Sequence, residues 1–281
     1  MPAGTRGYSP IYNMCLLPEA QRDRFDVVLV SPRNPLNIGA AARAMVNFGF
    51  RRLAVVAPFE PTWREARSAV GAPKVLATAA ESATLAEAVA DCTLVVGTGT
   101  LTYRKPEQPV VALPLLAPLV RRELDGGGRV ALVFGSEKHG LTREDLSWCH
   151  VLVEIPTDPE QPSMNLGQAV AVCLYELGAR ASMQESLTGA EAPIDSVGFM
   201  RGLKPPPPSE LSFSASGSLE LLAEVVEEAM RAAGYSPESM QAANRHDLRL
   251  LLRRLSLSEP DTRRILGLFR RMLWRLRAKP E

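Results

Sequence analysis

The stretch NPLNIGAAARAMVNFG, residues 34–49, decides how this chain begins to fold. It follows an apolar segment, residues 27–30, that predicts a buried strand. Asn37 is predicted to cap a helix, because an asparagine oxygen accepts hydrogen bonds from the first free backbone N–H groups. Small residues then open that helix at 39–42, so another backbone, a ligand or an RNA strand can approach closely.

Arg43 is the single large cation inside this turn of small residues. Gly49 follows Phe48 and is predicted to end the helix. A plain surface helix does not require a lone arginine framed by alanines, so Arg43 is a candidate functional residue. The alternative interpretation is a structural ion pair.

Short, β-branched segments alternate with helical segments through the first part of the chain. Strands are predicted at 27–30, 53–57, 93–96, 130–134 and 151–155. Helices are predicted at 113–123 and 163–181, and capping boxes begin at Thr62 and Thr84. This alternation predicts an α/β fold with a mostly parallel sheet and helices on both faces.

The second part of the chain predicts a small helical unit. A linker rich in Pro and Ser, 183–217, contains four consecutive prolines at 205–208, which exclude a helix there. Helices are predicted at 219–233, 247–255 and 260–277, the last started by Ser258-x-x-Asp261. The predicted organisation is a flexible extension at 1–24, an α/β domain at 25–182, the linker, and a helical extension at 218–281.

Composition narrows the class of protein. The chain has 281 residues, of which 46% are hydrophobic, enough for a large core. No apolar run reaches the roughly 18 residues of a membrane span, and the first 24 residues lack the apolar stretch of a secretory signal. The chain has four cysteines without C-x-x-C spacing and only three histidines, so no metal site is predicted. The cysteine usage also fits a reducing, cytoplasmic location.

Charge is distributed unevenly along the chain. Residues 245–281 contain eleven Lys or Arg and four Asp or Glu, a local formal charge of +7, which leaves −6 elsewhere in a chain of net charge +1. Such asymmetry is typical of a tail that faces nucleic acid, and a solvated helix surface is the alternative.

Polar and glycine-rich loops follow four of the predicted strands, at 31–37, 97–100, 135–140 and 156–162. Because ligands bind outside the carboxyl ends of open α/β sheets, these loops predict a single site. The chain lacks G-x-x-x-x-G-K-[ST] and a G-x-G-x-x-G helix start, which disfavours P-loop and standard Rossmann nucleotide sites. Ser136 is not in a G-x-S-x-G context, which disfavours a hydrolase.

Three motifs occur in order: N-x-G-x-x-x-R from Asn37, F-G-x-E-x-x-G-L from Phe134, and I-P…S-M-N-L-x-x-A-V from Ile155. This order resembles the SpoU (TrmH-like) branch of the SPOUT RNA 2′-O-methyltransferases. The Val-Val-Gly-Thr turn at 95–98 and the helical extension resemble the TrmJ-type tRNA methyltransferases. The resemblance covers residues 25–277.

The resemblance implies a SPOUT-type sheet with a deep trefoil knot near the end of the α/β domain, a chain path that is otherwise rare. It also implies that the knotted loops, with the turn after residue 97, bind S-adenosylmethionine, largely through backbone groups. The implied cofactor-binding residues are Thr98, Gly99, Thr100, Gly135, Ile155, Pro156, Pro162, Ser163 and Met164.

The implied reaction transfers a methyl group to a ribose 2′-hydroxyl. Because a hydroxyl is a weak nucleophile at neutral pH, a side chain must help to remove its proton or stabilise the alkoxide. Arg43 matches the family motif, and a role in orienting the ribose and stabilising negative charge suits a side chain that keeps its proton. The other implied catalytic residues are Asn37, which would position Arg43 or the substrate, Glu137, which would pair with Arg43 or Asn165, and the helix-capping Ser163 and Asn165.

The resemblance implies that the helical tail and the surface of a homodimer bind tRNA, with the pyrimidine at position 32 of the anticodon loop as target. Predicted phosphate contacts are Arg43, Arg249, Arg253, Arg254, Arg263, Arg264, Arg270 and Arg271. The alternatives are a SpoU-type enzyme acting on ribosomal RNA or another tRNA position, and an RNA-binding or assembly factor without catalysis.

Overall fold

The structure is a computed structural model that describes residues 17–100, 106–180, 213–235 and 237–277. The polyproline segment at 205–208, most of the predicted linker and the first 16 residues lie outside the described residues. The proposed domain boundaries stay predictions.

Seven parallel strands form one sheet in the order β3-β2-β1-β6-β4-β7-β5. The strands are β1 Phe25–Val30, β2 Arg52–Val56, β3 Ala80–Ser82, β4 Leu94–Thr98, β5 Val110–Ala112, β6 Val130–Phe134 and β7 Val151–Glu154. The five predicted strands are confirmed with ends shifted by at most two residues. The edge strands β3 and β5 were not predicted, because each has only three residues and is largely exposed, and β3 also has no apolar run.

Helices cover both faces of the sheet. They are α1 Glu19–Arg22, α2 Pro35–Asn47, α3 Pro73–Thr78, α4 Leu85–Ala88, α5 Ala117–Asp125, α6 Arg143–Ser147 and α7 Leu166–Leu174, which continues as a π-helical turn at Tyr175–Arg180. Residues of β1 alternate between two cores: Val27 and Leu29 join one cluster, and Val28 and Val30 join the other. This alternation is the period-two pattern of a strand buried on both faces, and it confirms the predicted α/β class.

Helix α2 begins earlier than predicted. Asn34, not Asn37, is its N-cap, since the Asn34 side chain accepts a hydrogen bond of 2.9 Å from the backbone N–H of Leu36. Pro35 then occupies the first helical position, where its missing N–H has no cost. Asn37 is therefore inside the first turn with its side chain free for other contacts. Gly49 ends the helix with φ of 79°, as predicted.

Three other predicted helix starts have different outcomes. Thr62 makes no capping hydrogen bond, and residues Trp63–Glu65 form a 3₁₀ turn. Thr84 does cap α4, accepting from the backbone N–H of Glu87 at 3.3 Å. Helix α7 begins at Leu166 with Asn165 as its cap, so the prediction of a start at Ser163 is wrong.

Small residues let α2 and α7 pack closely. A Cβ built on Gly167 would lie 2.6 Å from the Cβ of Ala40, well inside van der Waals contact. The alanine-rich start of α2 is therefore explained partly by helix packing, and it brings Asn165 at the start of α7 next to the first turn of α2.

Three further helices follow, α8 Ser216–Ala232, α9 Gln241–Arg254 and α10 Glu259–Arg277, with a 3₁₀ turn at Glu238–Met240. They share a small core that includes Leu222, Val226 and Leu252. The Ser258 and Asp261 side chains form the predicted start of α10, with a hydrogen bond of 2.6 Å between them. Ser216 at the start of α8 donates to the backbone oxygen of Cys92, which ties this unit to the α/β part.

Candidate functional site

Three predicted site residues from separate segments form one hydrogen-bonded chain. The Asn37 side chain donates to Glu137 Oε1 at 2.9 Å, and the Asn165 side chain donates to Asn37 Oδ1 at 2.9 Å. These residues lie on α2, on the loop after β6, and at the start of α7. Because all three segments meet at the carboxyl edge of the sheet, residues 128 positions apart in sequence become direct partners.

Glu137 is held as a carboxylate. Its oxygens also accept backbone N–H groups from Arg33 at 2.9 Å and Asn34 at 3.1 Å. Partial burial by itself raises the pKa of Glu137, but the hydrogen bonds from Asn37 and from the backbone outweigh it, so the pKa lies below its ordinary value. The predicted pairing of Glu137 with Arg43 or Asn165 is wrong, since Asn37 is its side-chain partner.

Asn165 has a double role. Its Oδ1 accepts from the backbone N–H groups of Gly167 at 3.0 Å and Gln168 at 3.4 Å, while its Nδ2 donates to Asn37. Both ends of the amide are therefore used, and the side-chain orientation is fixed by its partners. Ser163, by contrast, is exposed and makes only a long contact of 3.5 Å with Gln161.

Arg43 is exposed and lines a cavity of about 410 Å³. The cavity wall also includes Asn165 and Gln168 from α7, and Ser68. Within the described part of the chain, the Arg43 side chain makes no ion pair and no hydrogen bond. Arg43 therefore does not form a structural ion pair with any of these residues, and its guanidinium group is available to a ligand.

The predicted cofactor loops are tied together at the same edge. Gly99 donates its backbone N–H to the carbonyl of Val153 at 3.3 Å. The hydroxyl groups of Thr100 and Thr157 both donate to the carbonyl of Pro162, each at 3.2 Å. Thr98 is buried at the end of β4 and donates to the carbonyl of Val133, so its hydroxyl is already used inside the protein.

Gly135 begins a tight loop that closes on itself. A Cβ on Gly135 would lie 2.0 Å from the carbonyl carbon of Gly140, and Gly140 donates its N–H to the carbonyl of Ser136 at 2.8 Å. Only glycine fits such a backbone approach. On the facing loop, Ile155 and Pro162 are half-buried, whereas Pro156 and Met164 are exposed, so backbone as well as side chains border the site.

The arginines of the helical tail fall into three groups. Arg249 and Arg253 are buried at 4% and 3% exposure. Arg249 bonds Glu144, Glu220 and Ser147, and both guanidinium groups stack on Trp148. These two arginines attach α9 to the α/β part, so predicting them as phosphate contacts was wrong.

The other tail arginines are exposed. Arg263 and Arg264 pair with Glu259 and Asp261 of their own helix. Among the described residues, no ion pair is formed by Arg254, Arg270, Arg271 or Arg275. The unpaired group is the better candidate surface for phosphate.

No group of three or more His, Cys, Asp or Glu suited to a metal occurs in the described ranges. Within the same ranges, no helix has the length and apolarity to cross a membrane. His150 accepts a hydrogen bond from the Val95 backbone at Nδ1, and burial together with the nearby Arg253 lowers its pKa to about 3, so it is a neutral structural residue.

Sequence reasoning missed Asn34 and Arg33 as partners of Glu137. The sequence carries a signal for Asn34 as the N-cap of α2, because an asparagine directly before a proline at the first helical position is a common helix start, but it carries none for the backbone bond of Asn34 to Glu137. The backbone donor of Arg33 has no signal in its residue type, since every residue except proline carries the same N–H group.

Comparisons with known proteins identify the family of the chain. The SpoU rRNA Methylase family matches residues 24–175. The chain therefore belongs to the SpoU rRNA Methylase family, as the three motifs predicted. The resemblance to TrmJ-type enzymes is confirmed as well.

Two relatives by sequence illustrate the match. The chain is 43% identical over 156 residues to the tRNA (cytidine/uridine/adenosine-2′-O-)-methyltransferase TrmJ of Pseudomonas aeruginosa. The matched segment covers 55% of this chain and 60% of that protein. It is 37% identical over 181 residues to the tRNA (cytidine/uridine-2′-O-)-methyltransferase TrmJ of Klebsiella pneumoniae, covering 61% and 72% of the two chains.

One of two solved structures extends the likeness to the helical tail. The crystal structure of TrmJ from Z. mobilis ZM4 superposes with a TM-score of 0.71 at 29% identity, covering 88% of this chain and 98% of that one. A probable methyltransferase from Bordetella pertussis Tohama I superposes with a TM-score of 0.53 at 34% identity, covering 59% of this chain and 99% of that one.

Proposed function

We propose that this protein is an S-adenosylmethionine-dependent methyltransferase that modifies a ribose 2′-hydroxyl in tRNA. The observation that carries the proposal is the hydrogen-bonded chain Glu137–Asn37–Asn165 beside the unpaired Arg43. The relatives named tRNA 2′-O-methyltransferases support the choice of substrate. We further propose the pyrimidine at position 32 of the anticodon loop as target.

The site suits a cofactor bound mainly by backbone groups. The Gly135 loop leaves no room for a side chain, and Pro162 is held by two hydroxyl donors against the turn at Gly99 and Thr100. We propose that Gly99, Gly135, Ile155, Pro156 and Met164 bind the cofactor, with the loops at 135–140 and 155–165 passing through the trefoil knot of the family. When bound, S-adenosylmethionine supplies an electrophilic methyl group.

The chain's own residues would prepare the nucleophile. Arg43 would bind the ribose and neighbouring phosphate and stabilise negative charge as the 2′-oxygen loses its proton to solvent. Asn37 and Asn165 would act as positioning residues, because their amides are already committed to Glu137 and to each other. Glu137 would fix the loop after β6 by anchoring it to the backbone of Arg33 and Asn34.

We propose that the unpaired arginines of the tail also bind tRNA; they are Arg254, Arg270, Arg271 and Arg275. Phosphate contacts of this kind supply affinity that falls steeply with salt and carries little sequence information. Arg263 and Arg264 would contribute less, because each is already paired with an acidic neighbour.

We also propose a cytoplasmic homodimer. Val172 in α7 and Tyr175 at the start of the π-helical turn are exposed apolar side chains three positions apart. The resemblance implies that this helix helps to form the subunit interface. Light scattering tests this directly: a dimer at micromolar concentration is expected, and a monomer would count against it.

The decisive assay is methyl transfer from labelled S-adenosylmethionine to unmodified total tRNA, followed by nuclease mapping of the labelled nucleoside. A 2′-O-methylated pyrimidine in the anticodon loop supports the proposal. Incorporation only into ribosomal RNA would keep the chemistry and overturn the substrate. Incorporation into neither RNA would favour a binding factor without catalysis.

A further inference from the structure

Two loops at the edge of the site share an unusual pattern. Strand β1 is followed by Ser-Pro-Arg-Asn-Pro, residues 31–35, and strand β2 by Ala-Pro-Phe-Glu-Pro, residues 57–61. In both, the residue after the strand has a left-handed backbone, with φ of 48° at Ser31 and 43° at Ala57. Such conformations in residues other than glycine cost about 1 kcal/mol or more and cluster at functional sites.

The two loops present their third residues to each other. The Arg33 guanidinium carbon lies 4.8 Å from the centroid of the Phe59 ring, and the backbone N–H of Phe59 donates to the carbonyl of Pro32 at 3.1 Å. Phe59 is nevertheless 63% exposed, and Arg33 is also exposed. Arg33 makes no ion pair in the described ranges. The two strained loops therefore hold the planar cation of Arg33 and the ring of Phe59 in contact with each other and exposed to solvent.

The position of this pair relative to the site is set by the strand order. The proposed cofactor loops follow β4, β6 and β7, whereas Arg33 and Phe59 follow β1 and β2 on the opposite side of Glu137. The backbone of Arg33 is itself bonded to Glu137. An acceptor nucleotide reaching the site from the side away from the cofactor would pass over this pair.

We infer that Arg33 and Phe59 form a stacking platform for an unpaired base of the RNA next to the nucleotide that is methylated. The inference rests on the proposed function and names a substrate contact within it. Unpaired bases of RNA are commonly recognised by stacking on aromatic rings and guanidinium planes, and the adjacent positive charge favours a phosphate. Because proline-flanked loops are already ordered, little entropy is lost on binding.

The test compares Phe59→Leu, which keeps an apolar side chain but removes the ring, with Phe59→Trp, which keeps a stacking face. The control is Arg51→Ala, at an exposed residue just before β2, at the other end of the sheet from the site and outside the helical tail. KM for unmodified tRNA, KM for S-adenosylmethionine and kcat are measured for each. Phe59→Leu is expected to raise KM for tRNA on the order of tenfold, with KM for the cofactor and kcat nearly unchanged. Phe59→Trp and Arg51→Ala should behave like the wild type.

An unchanged KM for tRNA in Phe59→Leu would overturn the inference while the wild-type activity upheld the proposed function. A fall in kcat alone would also overturn it, since it would give Phe59 a role in holding the loop. If Phe59→Leu were unstable to heat, Arg33→Gln is the second variant, with the same expected rise in KM.

If the wild type methylated no RNA, the proposed function would fail, and the platform would be judged from the binding of a fluorescent single-stranded RNA. Equal affinity of wild type and Phe59→Leu would then refute it. A shift in oligomeric state in Phe59→Leu would assign the pair to a protein interface, and would equally refute it.

Discussion

The Asn165 amide donates a hydrogen bond of 2.9 Å to the side-chain oxygen of Asn37, and so joins the first turns of two helices that are far apart in sequence. The same Asn165 side chain caps α7 through its oxygen. Helix geometry and site geometry are thus coupled in one residue.

Replacing Asn165 therefore has two separable consequences. Asn165→Ala is expected to lower the free energy of unfolding by about 1 kcal/mol through loss of the cap. It is also expected to lower methyl transfer by a much larger factor, because Asn37 loses the amide that donates to its side-chain oxygen. Asn165→Asp retains a capping oxygen but cannot donate to Asn37. It should recover the stability measured by thermal unfolding without recovering activity, and full activity in Asn165→Asp would show that the hydrogen bond to Asn37 is dispensable.

The Glu137 carboxylate predicts a specific pH dependence of stability. The pKa of Glu137 is lower in the folded protein than its ordinary value of 4.5. The carboxylate therefore stabilises the fold at pH values above 4.5, and this stabilisation is lost as the pH falls below 4.5 toward the pKa of the folded state. Glu137→Gln should be less stable than wild type by about 1 kcal/mol at pH 7, since hydrogen bonds to a charged acceptor are lost at a partly exposed site. Denaturant unfolding of both proteins at several pH values checks this. A stability difference between wild type and Glu137→Gln that grew below pH 4.5 would contradict it.

Two glycines in helices should respond in opposite directions to alanine. At Gly167 the new Cβ would lie 2.6 Å from that of Ala40, so overpacking of about 1–3 kcal/mol exceeds the helix-propensity gain of about 1 kcal/mol. At Gly267 in α10 nothing lies within 4 Å, so only the gain applies. Gly167→Ala should lower and Gly267→Ala should raise the melting temperature. Equal shifts in one direction would show that the contact between α2 and α7 is not tight.

The contribution of each tail arginine to tRNA binding should depend on whether it already pairs with an acidic side chain. Replacing both Arg270 and Arg271 by Ala is expected to weaken tRNA binding and to reduce the slope of log affinity against log salt by roughly 1 to 2. The matched double replacement of Arg263 and Arg264, which are paired within α10, should have a smaller effect. Filter binding at several salt concentrations distinguishes the two pairs, and a larger effect at Arg263 and Arg264 would reverse the assignment.

The sequence predicted what depends on periodicity and on local motif. The buried strands and the α/β class follow from apolar runs, and the meeting of the loops that contain Asn37 and Glu137 follows from the rule for strand ends. The place of Asn165 at the site followed from the family resemblance. The sequence did not predict partners that depend on tertiary packing. Arg249 and Arg253 look like ordinary tail arginines in sequence, and only the position of Trp148 shows that they are buried. The short edge strand β3 has no apolar run and becomes a strand only beside β2.

The most direct test of the central claim is single-turnover methyl transfer to tRNA by Arg43→Ala, with cofactor binding measured by calorimetry on the same preparation. Arg51→Ala is the control, because Arg51 is exposed just before β2, at the other end of the sheet. We expect Arg43→Ala to lose transfer by about 100-fold or more while binding S-adenosylmethionine normally, as for loss of a charge-stabilising group, and Arg51→Ala to keep both. Transfer retained by Arg43→Ala would contradict the account.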